Sequence, residues 1–152
     1  MPATSILTIN APATKIFDTV VDLKGYDDWL PTSTSFPGIT SISSSPTQLG
    51  TTYIESTPSG IRHGEVIEFS RPSKVVFHQP MQLKSAPAGV LIDIKVEVLL
   101  REKSEGTTEV ERNVYLGFPE ELAGLKTVFE TGASGEGARV MELLKQRVES
   151  LP

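Results

Sequence analysis

Two long segments of the chain alternate between apolar and polar residues. In residues 90–101 (VLIDIKVEVLLR), Asp93, Lys95 and Glu97 separate the apolar positions. Residues 107–118 (TTEVERNVYLGF) place most of their apolar side chains on one face as well. A period of two residues is typical of strands that bury one face, so this pattern predicts an antiparallel hairpin.

Further segments predict the remaining strands of a sheet. Residues 4–10, 61–69 and 74–80 are rich in strand-forming residues and are bounded by turn residues. Residues 31–60 are rich in Ser, Thr, Pro and Gly, which suits either a flexible linker or two short strands with turns. Because apolar residues recur through this segment, we favour two strands.

Apolar residues at helical spacing predict helices on both sides of these strands. Pro12 suits the first turn of a helix that ends near Asp22, and a second short helix covers about residues 24–30. Residues 122–148 predict one long helix. Its middle is weak or kinked, since each glycine between 132 and 137 costs about 1 kcal/mol.

The order of elements is therefore a strand, two short helices, six strands and a long helix. A curved, seven-stranded antiparallel sheet wrapped around the C-terminal helix satisfies this order. The 152 residues fit a single α+β domain, 1–152, because one domain typically holds roughly 100–200 residues.

With these elements in place, the sequence resembles the Bet v 1-like, START-related (SRPBCC) superfamily and its polyketide cyclase/dehydratase-like group. The resemblance rests on ILTINAPATKIFDTVVDLKGYDDWLP (6–31), GEVIEFSRPSKVVF (64–77) and EGTTEVERNVYL (105–116). It implies the helix-grip fold, with an apolar cavity between sheet and long helix in which a hydrophobic small molecule is bound or transformed. The group shares no catalytic motif, and a fold alone does not assign a reaction.

Composition excludes several kinds of chemistry. The chain has no cysteine and two histidines, which excludes disulfides, thiolate metal sites and multi-histidine centres, so we expect no metal and no cofactor. The net charge of −5 argues against nucleic acid as the main partner. Without a targeting signal or an apolar run of ~20 residues, we expect a cytoplasmic protein with no membrane span. The oligomeric state stays open, a dimer included.

Polar residues of the predicted strand 61–69 lie opposite polar residues at the end of the Ser/Thr-rich segment that precedes it. With a three-residue turn at 58–60, Glu55 lies opposite His63 and Tyr53 opposite Glu65. The face that they share is either a cavity wall or a solvated outer surface. A slip of one residue in the register would exchange the two.

The next predicted hairpin adds Gln79 to the same face. Pairing Phe69 with Val75 across the turn sets Glu65 opposite Gln79, and Met81 follows on this face. Because apolar residues share this face, we favour the interpretation that it lines the cavity.

If this face lines the cavity, its residues suit proton transfer. His63 and Glu65 would exchange protons with a substrate, and Tyr53 would donate a hydrogen bond to a ketone or enolate oxygen. Glu55 and Gln79 would contact the substrate.

Arg112 is a further candidate because it shares the apolar face of the last predicted strand with Phe118. It either anchors a ligand carboxylate or phenolate and takes part in catalysis, or it reaches solvent at the end of the sheet. Trp29, Met81 and Phe118 are candidate walls of the substrate site, although core packing alone would also explain Trp29.

Three functions fit these residues. The first is a cofactor-independent enzyme that cyclises, dehydrates or isomerises a polyketide-like molecule by acid–base catalysis. The second is a non-catalytic carrier of a lipid or an aromatic metabolite, and the third is a protein-interaction module. We favour the enzyme, with the carrier as the main alternative.

Overall fold

The computed structural model describes residues 2–152, and in this range seven strands form one antiparallel sheet. The spatial order is β1-β7-β6-β4-β3-β2, and the short β5 pairs with β3 and β6. The strands are β1 (Ala3–Ile9), β2 (Thr52–Thr57), β3 (Gly60–Ser70), β4 (Lys74–His78), β5 (Met81–Leu83), β6 (Leu91–Ser104) and β7 (Thr107–Gly117).

The helices flank these strands in the chain. Helix α1 (Ala13–Val21) and a 3₁₀ helix (Leu23–Asp28) follow β1, and a second 3₁₀ helix (Glu120–Leu125) leads into the long α2 (Lys126–Ser150). The predicted α+β helix-grip arrangement is therefore confirmed.

The hydrophobic core lies between the sheet and the helices. Ile16 and Phe17 of α1 are fully buried, and so are Ile92 of β6 and Val110 of β7. Burying an apolar side chain of this size contributes roughly 1.5–3 kcal/mol. The inner faces of β6 and β7 are thus those that the alternation predicted.

Helix α2 runs without interruption through its three central glycines. Its buried residues lie in the second half, from Gly137 to Val148. A Cβ at Gly137 would lie 2.5 Å from Oγ of Ser5 on β1, so glycine allows the helix to approach the sheet closely at this point. This packing outweighs the low helix propensity of glycine.

The Ser/Thr-rich segment forms one strand instead of the two predicted. Residues 31–51 reach the sheet through an isolated bridge between Thr40 and Ile54, and the strand itself is β2. Pro37 and Pro46 lack the N–H that a strand donates to its neighbour. The seventh strand is instead β5, whose three residues are too few to show a period.

The register of the β2–β3 hairpin also differs from the prediction, by one residue. Thr57 pairs with Gly60 across a two-residue turn, and Glu55 therefore lies opposite Arg62. Oγ1 of Thr57 accepts a hydrogen bond from the Gly60 N–H at 2.9 Å, which supports the tighter turn. The predicted inward position of His63 is wrong, because its side chain is exposed on the outer face.

The pairing of β3 with β4 also departs from the prediction by one residue, on the far side of a bulge. The pairing predicted beside its turn is confirmed, but a bulge at Ile67 places Glu65 opposite His78. Glu65 is exposed and was wrongly predicted to lie opposite Gln79. The extra residue in the bulge accounts for the difference.

Two further observations concern helix length and the grouping of acidic and histidine side chains. Within residues 2–152, no helix has both the length and the apolar character needed to cross a bilayer. The side chains of the same range include no cluster of three or more histidine or acidic residues arranged to hold a metal ion.

Candidate functional site

A cavity of about 430 Å³ lies between the inner face of the sheet and α2. Ligand pockets typically measure roughly 300–1,000 Å³, so this volume suits a small organic molecule. Apolar side chains form most of its wall, among them Trp29, Phe36, Phe77, Met81, Ile94, Val96 and Phe129. Val128 also lines the cavity and is 69% exposed, which places it at the rim.

Tyr53 and Gln79 contribute one polar pair to this wall. The Tyr53 hydroxyl donates a hydrogen bond of 2.6 Å to Oε1 of Gln79. Burial raises the pKa of Tyr53 well above its usual value, and the carboxylate of Glu55 adds to the effect. The phenol therefore stays protonated near neutral pH and acts as a hydrogen-bond donor.

Glu55 and Arg62 form a buried ion pair on the same wall. Nε of Arg62 donates to Oε1 of Glu55 at 3.2 Å, and Nη2 donates to the Ser35 carbonyl at 2.8 Å. Glu55 is only 4% exposed. Burial raises the pKa of its carboxyl, and Arg62 opposes this rise without cancelling it.

Arg112 lines the cavity without such a partner. Its Nη1 is buried and has no hydrogen-bond acceptor among the side chains and backbone of residues 2–152. A Cβ at Gly137 would lie 3.4 Å from Nη1, so the backbone of α2 packs against this end of the guanidinium. Burial lowers the pKa of Arg112, although Tyr26, Glu136 and Glu55 favour its charged form.

Arg139 of α2 connects this helix to the loop that follows the first 3₁₀ helix. Nη1 of Arg139 contacts both carboxylate oxygens of Glu136, at 3.0 and 3.1 Å. The same guanidinium donates to Oγ of Ser33 at 3.3 Å and to the carbonyl of Pro31. Since Glu136 lines the cavity, these contacts close one side of it.

Most of the sequence-predicted site residues meet in this cavity. Of the predicted site residues, those that line the cavity are Trp29, Tyr53, Glu55, Gln79, Met81 and Arg112. Phe118 does not line it: β7 ends at Gly117, and Phe118 packs edge-to-face against Phe129 with 5.8 Å between ring centroids. His63 and Glu65 lie outside because of the hairpin register.

Sequence reasoning missed Arg62 and Glu136. Gly64 was the available signal for Arg62, because a glycine inside a strand often marks a close approach, and Arg62 shares a face with it. Glu136 carried no comparable signal. Its position depends on how the loop at 31–36 meets α2, which is a tertiary contact.

The chain has structural neighbours but no match among family models, and no curated protein sequence matches it. DynU16, a protein in the dynemicin biosynthetic locus, superposes with a TM-score of 0.66 at 13% identity over 98% of this chain and 47% of its own. The chain thus spans about half the length of DynU16. MLL2253 from Mesorhizobium loti has a TM-score of 0.69 at 15% identity and covers 98% of both chains.

A third neighbour has nearly the same length as this chain. Aha1 from Colwellia psychrerythraea, solved as a dimer, has a TM-score of 0.66 at 17% identity and covers 99% of this chain and 97% of its own. Together with the sheet order and the long C-terminal helix, these likenesses show a Bet v 1-like, helix-grip fold. Proteins with this fold differ in function, so the site itself must indicate the activity.

Proposed function

We propose that this protein binds a hydrophobic small molecule in the cavity between its sheet and α2. The observation that carries the proposal is the 430 Å³ cavity itself, whose apolar wall is interrupted by a few polar groups. This combination is typical of small-molecule sites, in which apolar surface supplies affinity and polar groups fix orientation. A protein-interaction module would need no such cavity.

The neighbours support a small-molecule role without defining the ligand. DynU16 is a protein in a biosynthetic locus, and a cavity of this kind would suit a biosynthetic intermediate or product. We extend this role to the present chain as part of the proposal, because the likeness at 13% identity concerns the fold.

Filling the cavity provides a direct test. Ala133 lies on the cavity side of α2, whereas Ala138 of the same helix is exposed. We expect the uncharged dye Nile red to bind the wild-type protein with enhanced fluorescence. Ala133→Trp should weaken binding at least about tenfold, and the matched variant Ala138→Trp should leave it unchanged. Equal binding by all three proteins, or none by the wild type, would contradict the proposal.

A second candidate function is acid–base transformation of the bound molecule. Glu55 favours it, because this carboxyl is buried, has a raised pKa and lies in the same cavity as the Tyr53 hydroxyl. Carboxyls with raised pKa values are suited to proton transfer near neutral pH. In this proposal Glu55 takes the proton-transfer role that sequence reasoning gave to His63 and Glu65, and Tyr53 polarises a carbonyl oxygen.

Deuterium exchange separates a carrier from an enzyme. The ketone 2-tetralone has exchangeable α-protons, whose replacement in D₂O can be followed by NMR. If Glu55 acts as a base, the protein should accelerate exchange about 10²-fold or more, and Glu55→Gln should abolish the acceleration. The variant should still bind Nile red. Exchange at the buffer rate with wild-type protein that binds 2-tetralone would favour the carrier.

A further inference from the structure

We propose that the ligand of this cavity is an amphipathic monocarboxylate whose anionic oxygens bind Arg112. This inference rests on the proposed small-molecule function and specifies the class of ligand. It follows from the charges around the cavity and from the guanidinium of Arg112, which lines the cavity and whose buried Nη1 has no acceptor in the described chain.

The charged groups at the cavity leave one positive charge without a direct partner. In the described chain, Glu55, Arg62, Arg112 and Glu136 line the cavity. Glu55 is paired with Arg62, and Glu136 is held at both oxygens by Arg139 from the next turn of α2. Three guanidinium groups thus face two carboxylates, and protonation of either carboxyl would only increase the positive excess.

A ligand anion would compensate for this excess at Arg112. A buried donor that lacks an acceptor costs free energy, and a buried charge without a partner costs more. Tyr26 cannot supply the acceptor through ionisation, because burial raises the pKa of its phenol and its hydroxyl donates to the Val20 carbonyl. An anionic group on a ligand in the cavity would supply the acceptor that the protein does not.

The surroundings of Arg112 also fit a carboxylate sterically. The backbone of Gly137 covers Nη1, so a ligand would reach the guanidinium from the side that lines the cavity. A guanidinium presents its donors in a planar fork that matches the two oxygens of a carboxylate. The apolar wall around this fork would take the hydrophobic part of the ligand, with Val114 and Leu116 of β7 nearest in sequence.

Matched acids and amides test the inference. Decanoic acid and 2-naphthoic acid would be compared with decanamide and 2-naphthamide as competitors of Nile red at pH 7. We expect at least one acid to bind at least about tenfold more tightly than its amide, as charge-assisted hydrogen bonds are stronger than neutral ones. Arg112→Met should remove this preference while retaining binding of Nile red and the amide.

Two further variants serve as controls. Arg101→Met removes an exposed arginine of the neighbouring strand, which is paired with Glu109 and Glu111, and should leave the preference unchanged. Arg112→Lys keeps the charge and should retain part of the preference. Amides that bind as tightly as the acids, or a preference that persists in Arg112→Met, would overturn the inference. Failure of Nile red and of all four competitors to bind the wild type would instead overturn the proposed function.

Discussion

Gly64 of β3 lies directly beneath the aromatic ring of Tyr53 on β2. The two residues are paired across the strands, and a Cβ at Gly64 would overlap Cζ of the tyrosine. The ring therefore occupies the place of a side chain at position 64. This contact holds the Tyr53 hydroxyl toward Gln79 and places Arg62, two residues before Gly64, on the cavity side.

Substituting Gly64 should destabilise the protein through this contact. We expect Gly64→Ala to lower the free energy of unfolding by about 1–3 kcal/mol, because the methyl group overlaps the ring. In a Tyr53→Ala background the same substitution should lower the free energy of unfolding by a smaller amount. A double-mutant cycle by urea unfolding would measure the difference. Gly124→Ala, where a Cβ meets no atom within 4 Å, is the matched control. An equal loss of unfolding free energy in both backgrounds would contradict the contact.

Arg112 and Arg62 should respond in opposite ways to loss of their charge. Arg112→Met removes a buried donor that lacks an acceptor, so the free energy of unfolding should rise by about 1–3 kcal/mol without ligand. Arg62→Met removes the partner of Glu55 and should lower it by up to about 3–5 kcal/mol. Thermal and urea unfolding of both variants would check this. A destabilised Arg112→Met would indicate a structural partner for the guanidinium.

The raised pKa of Glu55 predicts a dependence of stability on pH. Above its ordinary value of 4.5, the folded state retains a proton that the unfolded state releases. Stability from this group therefore falls as pH rises from about 4.5 through the folded pKa, by about 1.4 kcal/mol for each pH unit between the unfolded and folded pKa values. Glu55→Gln should lack this fall.

The difference in stability between wild type and Glu55→Gln isolates this carboxyl across the pH range. Asp18, Glu111 and Glu149 have pKa values lowered by their hydrogen-bond partners, so their contributions are lost as pH falls and have the opposite sign. These groups are present in both proteins and cancel in the difference. A difference curve that is flat above pH 4.5 would rule out a raised pKa at Glu55.

Two glycines of α2 should behave differently when replaced by alanine. A Cβ at Gly135 meets no atom within 4 Å, so Gly135→Ala should raise the free energy of unfolding by about 0.5–1 kcal/mol. Gly137→Ala should gain less, because its methyl group must displace Oγ of Ser5 at 2.5 Å. In a Ser5→Ala background the two gains should become similar. A large gain from Gly137→Ala alone would argue against the close approach of α2 to β1.

Loss of Arg139 should change the rate of ligand exchange more than the affinity. Its guanidinium ties the chain at Pro31 and Ser33 to Glu136 of α2 on one side of the cavity. We expect Arg139→Gln to raise both the association and dissociation rates of Nile red in stopped-flow measurements. Lys145→Gln changes a charge elsewhere on α2, where Lys145 pairs with Glu149, and should alter neither rate.

The sequence predicted those parts of the fold whose signal is local. The alternation of apolar and polar residues, strict in β6 and partial in β7, identified both strands and placed Arg112 on the inner face, because every second residue of a strand shares a face. The hairpin register depends instead on turn length, and both a two-residue and a three-residue turn fit residues 57–61. The bulge at Ile67 leaves no trace in the pattern of apolar residues.

Other parts of the site depend on contacts between distant segments. The pairing of Glu136 with Arg139 is local to α2, but its place at the cavity depends on the loop that carries Ser33. The continuity of α2 likewise depends on the packing of Gly137 against Ser5, which helix propensity does not include. Propensity alone therefore favoured a weakened helix.

The bulge at Ile67 gives β3 one residue more than it needs to pair with β4. If residues 60–66 slid by one position away from the bulge, the extra residue would pass to the turn at 58–59, while the pairing beside the β3–β4 turn would stay as it is. His63 would then replace Arg62 on the cavity wall. Chain length and composition would not change. Glu65 would at the same time come beneath the ring of Tyr53, where a Cβ has no room, so Gly64 holds the cavity wall in the register that presents Arg62.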